Sequence, residues 1–67
     1  MTVYRYYTKE RPPMPGAIPM LDTLLDVKPF DDRQQTEQGM AWGYVDYSAA
    51  LTDQQITDYE LSEGVEL

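Results

Sequence analysis

The chain has 67 residues, of which twelve are acidic and five are basic, and it contains neither cysteine nor histidine. Disulfide bonds, Cys/His zinc sites and catalysis by a thiolate or an imidazole are therefore excluded. A net charge of −7 and a pI near 4.1 also argue against electrostatic binding of nucleic acid or of an anionic membrane. We expect one non-enzymatic domain over residues 1–67, with no catalytic residue, cofactor or metal ion, whose stability comes from packing or from a partner chain.

The first predicted element is a strand at residues 2–8, a segment rich in the Val, Tyr and Thr residues that favour strands. Successive side chains of a strand point to opposite faces. One face of this strand is expected to carry Val3, Arg5 and Tyr7, and the other Tyr4 and Tyr6.

A proline-rich loop is predicted at residues 12–19, because four prolines and one glycine fall between Arg11 and Pro19. Proline is excluded from helix interiors and from central strands. Pro12 and Pro15 have the PxxP spacing of SH3 ligands. Such matches are frequent by chance, and we expect a structural crossing loop here.

A second strand is predicted over about Leu24–Phe30, where helical and strand patterns overlap. Pro29 disfavours helical backbone at the residue before it, which favours the strand. Proline within a strand also indicates the edge of a sheet. The following segment, 31–39, is polar throughout and ends in glycine, which predicts the loop of a wide hairpin or of an excursion from the sheet.

The third strand, Met40–Tyr47, has the clearest strand pattern in the chain. Its two faces are expected to carry Trp42, Tyr44 and Asp46 on one side and Ala41, Gly43, Val45 and Tyr47 on the other. Gly43 inside the strand predicts a bulge or close packing of the backbone against a neighbouring ring.

A capping box predicts that a helix begins at Asp53 and runs to about Tyr59 or Leu61. In this motif the Thr52 side chain accepts a hydrogen bond from the amide of Gln55, and the Gln55 side chain returns to the Thr52 amide. The sequence Leu51-Thr52-Asp53-Gln54-Gln55-Ile56 fits it.

An isolated helix this short is marginal in water, so it must dock on the sheet. We expect the contact to use Ile56, Tyr59 and Leu61, with residues 62–67 forming an acidic tail. The predicted fold class is α+β: a small antiparallel sheet of about three strands with one short C-terminal helix packed on it.

Charge is distributed unevenly along the chain. Residues 1–33 hold all five basic residues and five acids, whereas residues 34–67 hold seven acids and no Lys or Arg. This asymmetry is typical either of a surface that keeps a small protein soluble or of a negative face that binds a basic partner protein. The eight aromatic residues exceed what a small core encloses, so some are expected in a protein-binding surface. The predicted partner-binding residues are Trp42, Tyr44, Asp46, Asp53, Asp58, Glu60 and Glu63.

The small core and the edge strand that carries Pro29 also predict a homodimer. Pairing across a free strand edge, or across a tyrosine-rich face, would bury apolar surface that is otherwise exposed.

Several segments taken together resemble a known type of protein. They are residues 6–16 (YYTKERPPMPG), 30–33 (FDDR), 41–47 (AWGYVDY), 51–52 (LT) and 59–61 (YEL). This combination resembles short proteins of phages and conjugative elements in Gram-positive bacteria, including domains associated with large polyvalent proteins. The resemblance implies a mobile-element setting and assigns no active site.

Small acidic proteins of such elements resemble, in charge and size, inhibitors of host defence such as anti-CRISPR and anti-restriction proteins. The resemblance implies a DNA mimic: an acidic inhibitor that occupies the basic nucleic-acid groove of a host defence nuclease, with a Cas nuclease among the candidate partners. The alternative is an accessory protein-interaction module of a phage or conjugative element. We expect a location in the host cytoplasm, because no apolar run approaches the roughly 20 residues that span a bilayer.

Overall fold

The computed structural model describes residues 2–67 and contains a four-stranded antiparallel sheet with one short helix. This confirms the α+β class and adds one strand to the three that we expected. The strands are β1 (Tyr4–Thr8), β2 (Leu24–Thr36), β3 (Gly39–Tyr47) and β4 (Val65–Glu66), and the helix α1 is Asp53–Asp58. Their order across the sheet is β2-β3-β1-β4. The central strands are therefore β3 and β1, and the edges are β2 and β4.

Two connections cross the sheet, and both lie on the same face. The proline-rich loop leads from β1 to β2 past β3, and α1 leads from β3 to β4 past β1. Ile18 of the loop and Ile56 of the helix pack in one hydrophobic cluster with Val45 of the sheet. We call this side the core face, and we call the opposite side, which neither connection covers, the open face.

Alternate residues of the two central strands build the core, as their sequence patterns predict. Tyr6 of β1 lies opposite Val45 of β3. The buried cluster consists of Tyr6, Ile18, Val45, Tyr47, Leu51 and Leu61. Its two tyrosine hydroxyls are satisfied, because Tyr47 donates to the Pro19 carbonyl at 2.7 Å and Tyr6 accepts from the Leu51 amide at 2.8 Å. The rings of Tyr6 and Tyr47 also meet edge to face, with 6.0 Å between centroids.

Gly43 allows the loop to lie directly on the sheet. A Cβ atom at this position would be 2.7 Å from Cδ of Pro13 and still closer to the Lys28 carbonyl oxygen. The predicted close packing of the backbone against a neighbouring ring is confirmed, and the ring is a proline of the crossing loop.

β2 is longer than predicted, because it continues through the polar segment 31–39 that we interpreted as a loop. The strand pairs with β3 up to Thr36, with its largest irregularity between Pro29 and Gln34, and a turn at residues 37–38 closes the hairpin. The prediction of a wide loop was therefore wrong. An edge strand with mostly exposed side chains needs only backbone hydrogen bonds to its neighbour, so no apolar alternation marks it in the sequence.

α1 begins at Asp53, as predicted, and both bonds of the capping box are present. The Gln55 amide donates to Oγ1 of Thr52 at 3.1 Å, and Oε1 of Gln55 accepts from the Thr52 amide at 2.9 Å. Ile56 and Tyr59 pack against the core, which confirms the expected docking surface. Among residues 2–67, no helix is long and apolar enough to cross a membrane.

The helix ends at Asp58, before Tyr59 or Leu61, because Glu60 has a φ of +53°. This left-handed conformation interrupts helical backbone and returns the chain to β1, where Leu61 faces Thr8 in an antiparallel bridge. The predicted acidic tail, residues 62–67, therefore contains the fourth strand. With two residues, β4 is too short for periodicity to reveal it.

Candidate functional site

The structure places the seven predicted partner-binding residues on different parts of the molecule. The open face carries Trp42, Tyr44 and Asp46, which alternate along β3. The helix and the segment after it carry Asp53, Asp58, Glu60 and Glu63, all of them exposed. Because α1 packs on the core face, the aromatic residues and the helical acids lie on opposite sides of the sheet. The predicted set is therefore divided between two surfaces.

An aromatic cluster from three strands covers the open face. The ring of Tyr44 meets Tyr7 of β1 edge to face at 6.3 Å between centroids, and it meets Phe30 of β2 at 6.0 Å. The guanidinium of Arg33 lies 5.7 Å from the ring centroid of Trp42, which is within cation–π range. Each aromatic pair of this kind contributes about 0.5–1.5 kcal/mol beyond its buried area. The cluster is therefore a preformed surface.

Asp46 is held inside this face by Arg5, which lies opposite it on β1. Nε and Nη2 of Arg5 donate to the two carboxylate oxygens at 2.8 and 2.9 Å. These hydrogen bonds raise the pKa of Arg5 above its usual value. The guanidinium also stacks 3.7 Å from the ring centroid of Tyr44. Asp46 is only 6% exposed, and both of its carboxylate oxygens accept hydrogen bonds from Arg5. The carboxylate therefore holds the open face in order.

A shallow cavity of about 400 Å³ lies beside the aromatic cluster. It is lined by Arg5, Tyr7, Phe30 and Tyr44 of the sheet and by Gln34, Gln35, Thr36 and Glu37 near the hairpin turn. In the sheet, β3 separates β1 from β2. Residues at the end of β2 nevertheless line the same cavity as side chains of β1. The end of the β2–β3 hairpin therefore bends over the open face, toward β1.

Exposed carboxylates dominate the opposite part of the molecule. We call the set Asp53, Asp58, Glu60 and Glu63 the acidic segment. Arg11 forms an ion pair with Glu60 at 2.5 Å, with both side chains about half exposed. Exposed pairs of this type contribute little, about 0–1 kcal/mol, and the segment remains strongly negative. In the described part of the chain, no group of three or more acidic side chains is arranged to hold a metal ion.

Sequence reasoning missed the basic half of the open face, which consists of Arg5, Lys28 and Arg33. The alternation of β1 did place Arg5 and Tyr7 on one face, but nothing local in the sequence shows that β1 lies beside β3. The opposite charges of Arg5 and Asp46, each inside a predicted strand, were the signal that could have found this pairing.

Residues 1–65 match the family described as Defence against restriction A C-terminal. No curated protein and no solved structure is significantly similar to the chain. The match agrees with the mobile-element setting that the sequence implied, and it is specific neither to Gram-positive elements nor to anti-CRISPR proteins. Because the match covers almost the whole chain, this chain belongs to the Defence against restriction A C-terminal family, an anti-restriction family of phages and mobile elements.

Proposed function

We propose that this chain counters host restriction by binding in the DNA groove of a DNA-cleaving defence enzyme, without catalysing a reaction itself. The observation that carries the proposal is the acidic segment, which is exposed and has only Arg11 as an ion-pair partner among the described residues. The family description supplies the biological setting, since it names defence against restriction.

The physical basis is competition for cations. DNA grooves of nucleases are lined by Lys and Arg side chains that bind phosphates. Carboxylates on a rigid support can occupy the same side chains, because complementary potentials accelerate the encounter and orient the two proteins. The support here is α1, whose start is held by the capping box and whose inner side docks on the core through Ile56.

The structure narrows the set of residues that can act in this way. The carboxylate of Asp46 is buried and bound by Arg5, so we exclude it from the groove contact. Trp42 and Tyr44 lie on the open face and do not share a surface with α1. The proposed contact residues are therefore Asp53, Asp58, Glu60 and Glu63. A restriction enzyme is a better candidate partner than a Cas nuclease, because the family description names restriction.

Cleavage of plasmid DNA by a panel of purified restriction enzymes, with a DNA-targeting Cas nuclease included, tests the proposal. We expect inhibition by the chain that excess substrate DNA relieves, because the two compete for one groove. The inhibition should weaken as salt rises, since charge pairs are screened over about 8 Å at physiological ionic strength. Absence of inhibition across the panel would contradict the proposed function.

Two double variants identify the surface that inhibits. Asp53→Asn with Asp58→Asn removes two charges of the acidic segment and should weaken inhibition at least about tenfold. Asp22→Asn with Asp31→Asn removes the same charge from exposed sites outside it and should have little effect. Equal losses from the two variants would show that net charge matters and that the acidic segment does not.

The second candidate function is an accessory interaction module, and the aromatic cluster on the open face favours it, because the groove contact leaves that cluster unused. A pull-down from a restricting host separates the two functions. Recovery of a nuclease supports inhibition, whereas recovery of replication or transfer proteins of the mobile element supports the accessory role.

A further inference from the structure

The open face differs from the rest of the molecule in its charge. It carries three cations, and three carboxylates lie on it or line its cavity; these residues are Arg5, Lys28, Arg33, Asp26, Glu37 and Asp46. Outside these six residues the chain contains two cations and nine acids, among them Asp31 and Asp32 of the irregular stretch of β2, and therefore holds the whole net charge of −7. The open face is thus the electrically balanced side of a strongly acidic protein.

The long edge of the sheet is closed to pairing with another strand. The Val27 amide donates to the side chain of Asp26 at 2.9 Å, and the Arg33 amide donates to the side chain of Asp32 at 2.8 Å. Pro29, between them, has no N–H group. An added strand would need free N–H donors along this edge. The occupied amides of Val27 and Arg33 and the missing N–H group of Pro29 therefore block pairing with β2. At the other edge, β4 has only two residues.

We propose that the open face is the interface of a homodimer in which two copies of this chain pack sheet against sheet. Two chains of charge −7 repel each other in any orientation, and this repulsion is weakest when the two balanced open faces meet and the acidic sides point away from each other. Aromatic side chains at the centre of the face supply the apolar contact that interfaces favour. A two-fold dimer needs a self-complementary surface, and a face with three charges of each sign around an aromatic cluster meets that condition.

The size of the molecule adds a constraint. Its principal extents are 28, 24 and 19 Å, so its largest side is comparable with the roughly 800 Å² that each partner buries in a standard interface. Dimerisation would therefore use the entire open face. The two acidic segments would then lie on opposite outer sides of the dimer, because α1 packs on the core face of each copy.

Trp42 is the only tryptophan in the chain, and it provides a native probe of this interface. Sedimentation equilibrium of the full chain should show the mass rising from monomer to dimer between low and high micromolar concentration. Over the same range the tryptophan emission should shift to shorter wavelength and become less accessible to iodide. A monomer at all concentrations would overturn the proposal, and so would a dimer whose tryptophan emission does not change.

Two methionines form a matched pair of test sites. Met40 is 40% exposed on the open-face side of β3, and Met20 is 59% exposed in the loop before β2. Met40→Glu places like charges in the two-fold contact and should weaken dimerisation at least about tenfold. Met20→Glu adds the same charge outside the interface and should leave the association almost unchanged. Equal weakening by both variants would overturn the proposal.

The response to salt separates this inference from the proposed function. Salt screens the repulsion between two chains of charge −7, so dimerisation should strengthen as sodium chloride is added. Binding of the acidic segment to a basic groove should weaken under the same conditions. Each proposal can therefore fail while the other stands.

Discussion

The hydroxyl of Tyr47 joins the central strand of the sheet to the crossing loop. The side chain is fully buried, its hydroxyl donates to the Pro19 carbonyl at 2.7 Å, and burial raises its pKa to about 12. A tyrosine in an unfolded chain has a pKa of about 10. Between these values the unfolded state binds fewer protons than the folded state, so stability falls as pH rises. The contribution of Tyr47 is complete below pH 10 and is lost toward pH 12.

We expect Tyr47→Phe to isolate this effect. Near neutral pH the variant should be less stable by about 1 kcal/mol, because the Pro19 carbonyl loses its partner. The wild type should then lose up to about 2–3 kcal/mol relative to the variant as pH rises from about 10 to 12. Urea denaturation of both proteins between pH 10 and about 12 measures the difference in their free energies of unfolding. The other tyrosines are present in both proteins, so their titration cancels in this difference. Parallel stability curves would contradict the assignment.

At the scale of elements, α1 depends on its first turn. The helix has six residues, and the described structure has no basic residue in its last turn. Thr52→Ala removes the side-chain acceptor for the Gln55 amide and should lower the free energy of unfolding by about 0.5–2 kcal/mol. Thr57→Ala makes the same change at an exposed helical position and should be neutral or slightly stabilising, because Ala has the higher helix propensity. Urea denaturation compares the two variants, and equal effects would refute a specific role of the cap.

The edge strand β2 is protected by its own acidic side chains. Asp26→Ala with Asp32→Ala frees the amides of Val27 and Arg33, so the double variant should aggregate faster through edge-to-edge pairing. The control, Asp22→Ala with Asp31→Ala, removes the same charge. It leaves the hydrogen bonds from the Val27 and Arg33 amides to Asp26 and Asp32 in place. Light scattering at high protein concentration follows the two variants. If the control aggregates as fast, lost charge is the cause and the freed amides are not.

At the scale of the whole molecule, repulsion among the acidic side chains is stronger than attraction between opposite charges. Twelve acids and five bases form two ion pairs among residues 2–67. Self-repulsion of this charge destabilises the compact state, so sodium chloride should raise the melting temperature. The rise should be smaller for Asp53→Asn with Asp58→Asn, which reduces the net charge. Thermal denaturation by circular dichroism measures both, and a melting temperature that falls with salt would show that attractive pairs dominate.

The sequence by itself determined the features that depend on neighbouring residues. The capping box located the start of α1, alternation assigned the faces of β1 and β3, and prolines marked the crossing loop. Gly43 signalled the close approach of that loop. Each of these patterns acts over a few residues, so its physical cause is visible without knowledge of the fold.

Only the tertiary structure decided which of these elements meet. Arg5 binds Asp46 from 41 residues away, and the polar end of β2 becomes a strand only because β3 supplies its backbone partners. The aromatic residues and the helical acids Asp53 and Asp58, which composition alone joined into one binding surface, lie on opposite sides of the sheet because both crossovers run over one face. Contacts between residues far apart in the sequence decide which elements meet. The entropy lost in closing the loops and the free energy gained by pairing depend on the whole chain, so no local sequence pattern reveals them.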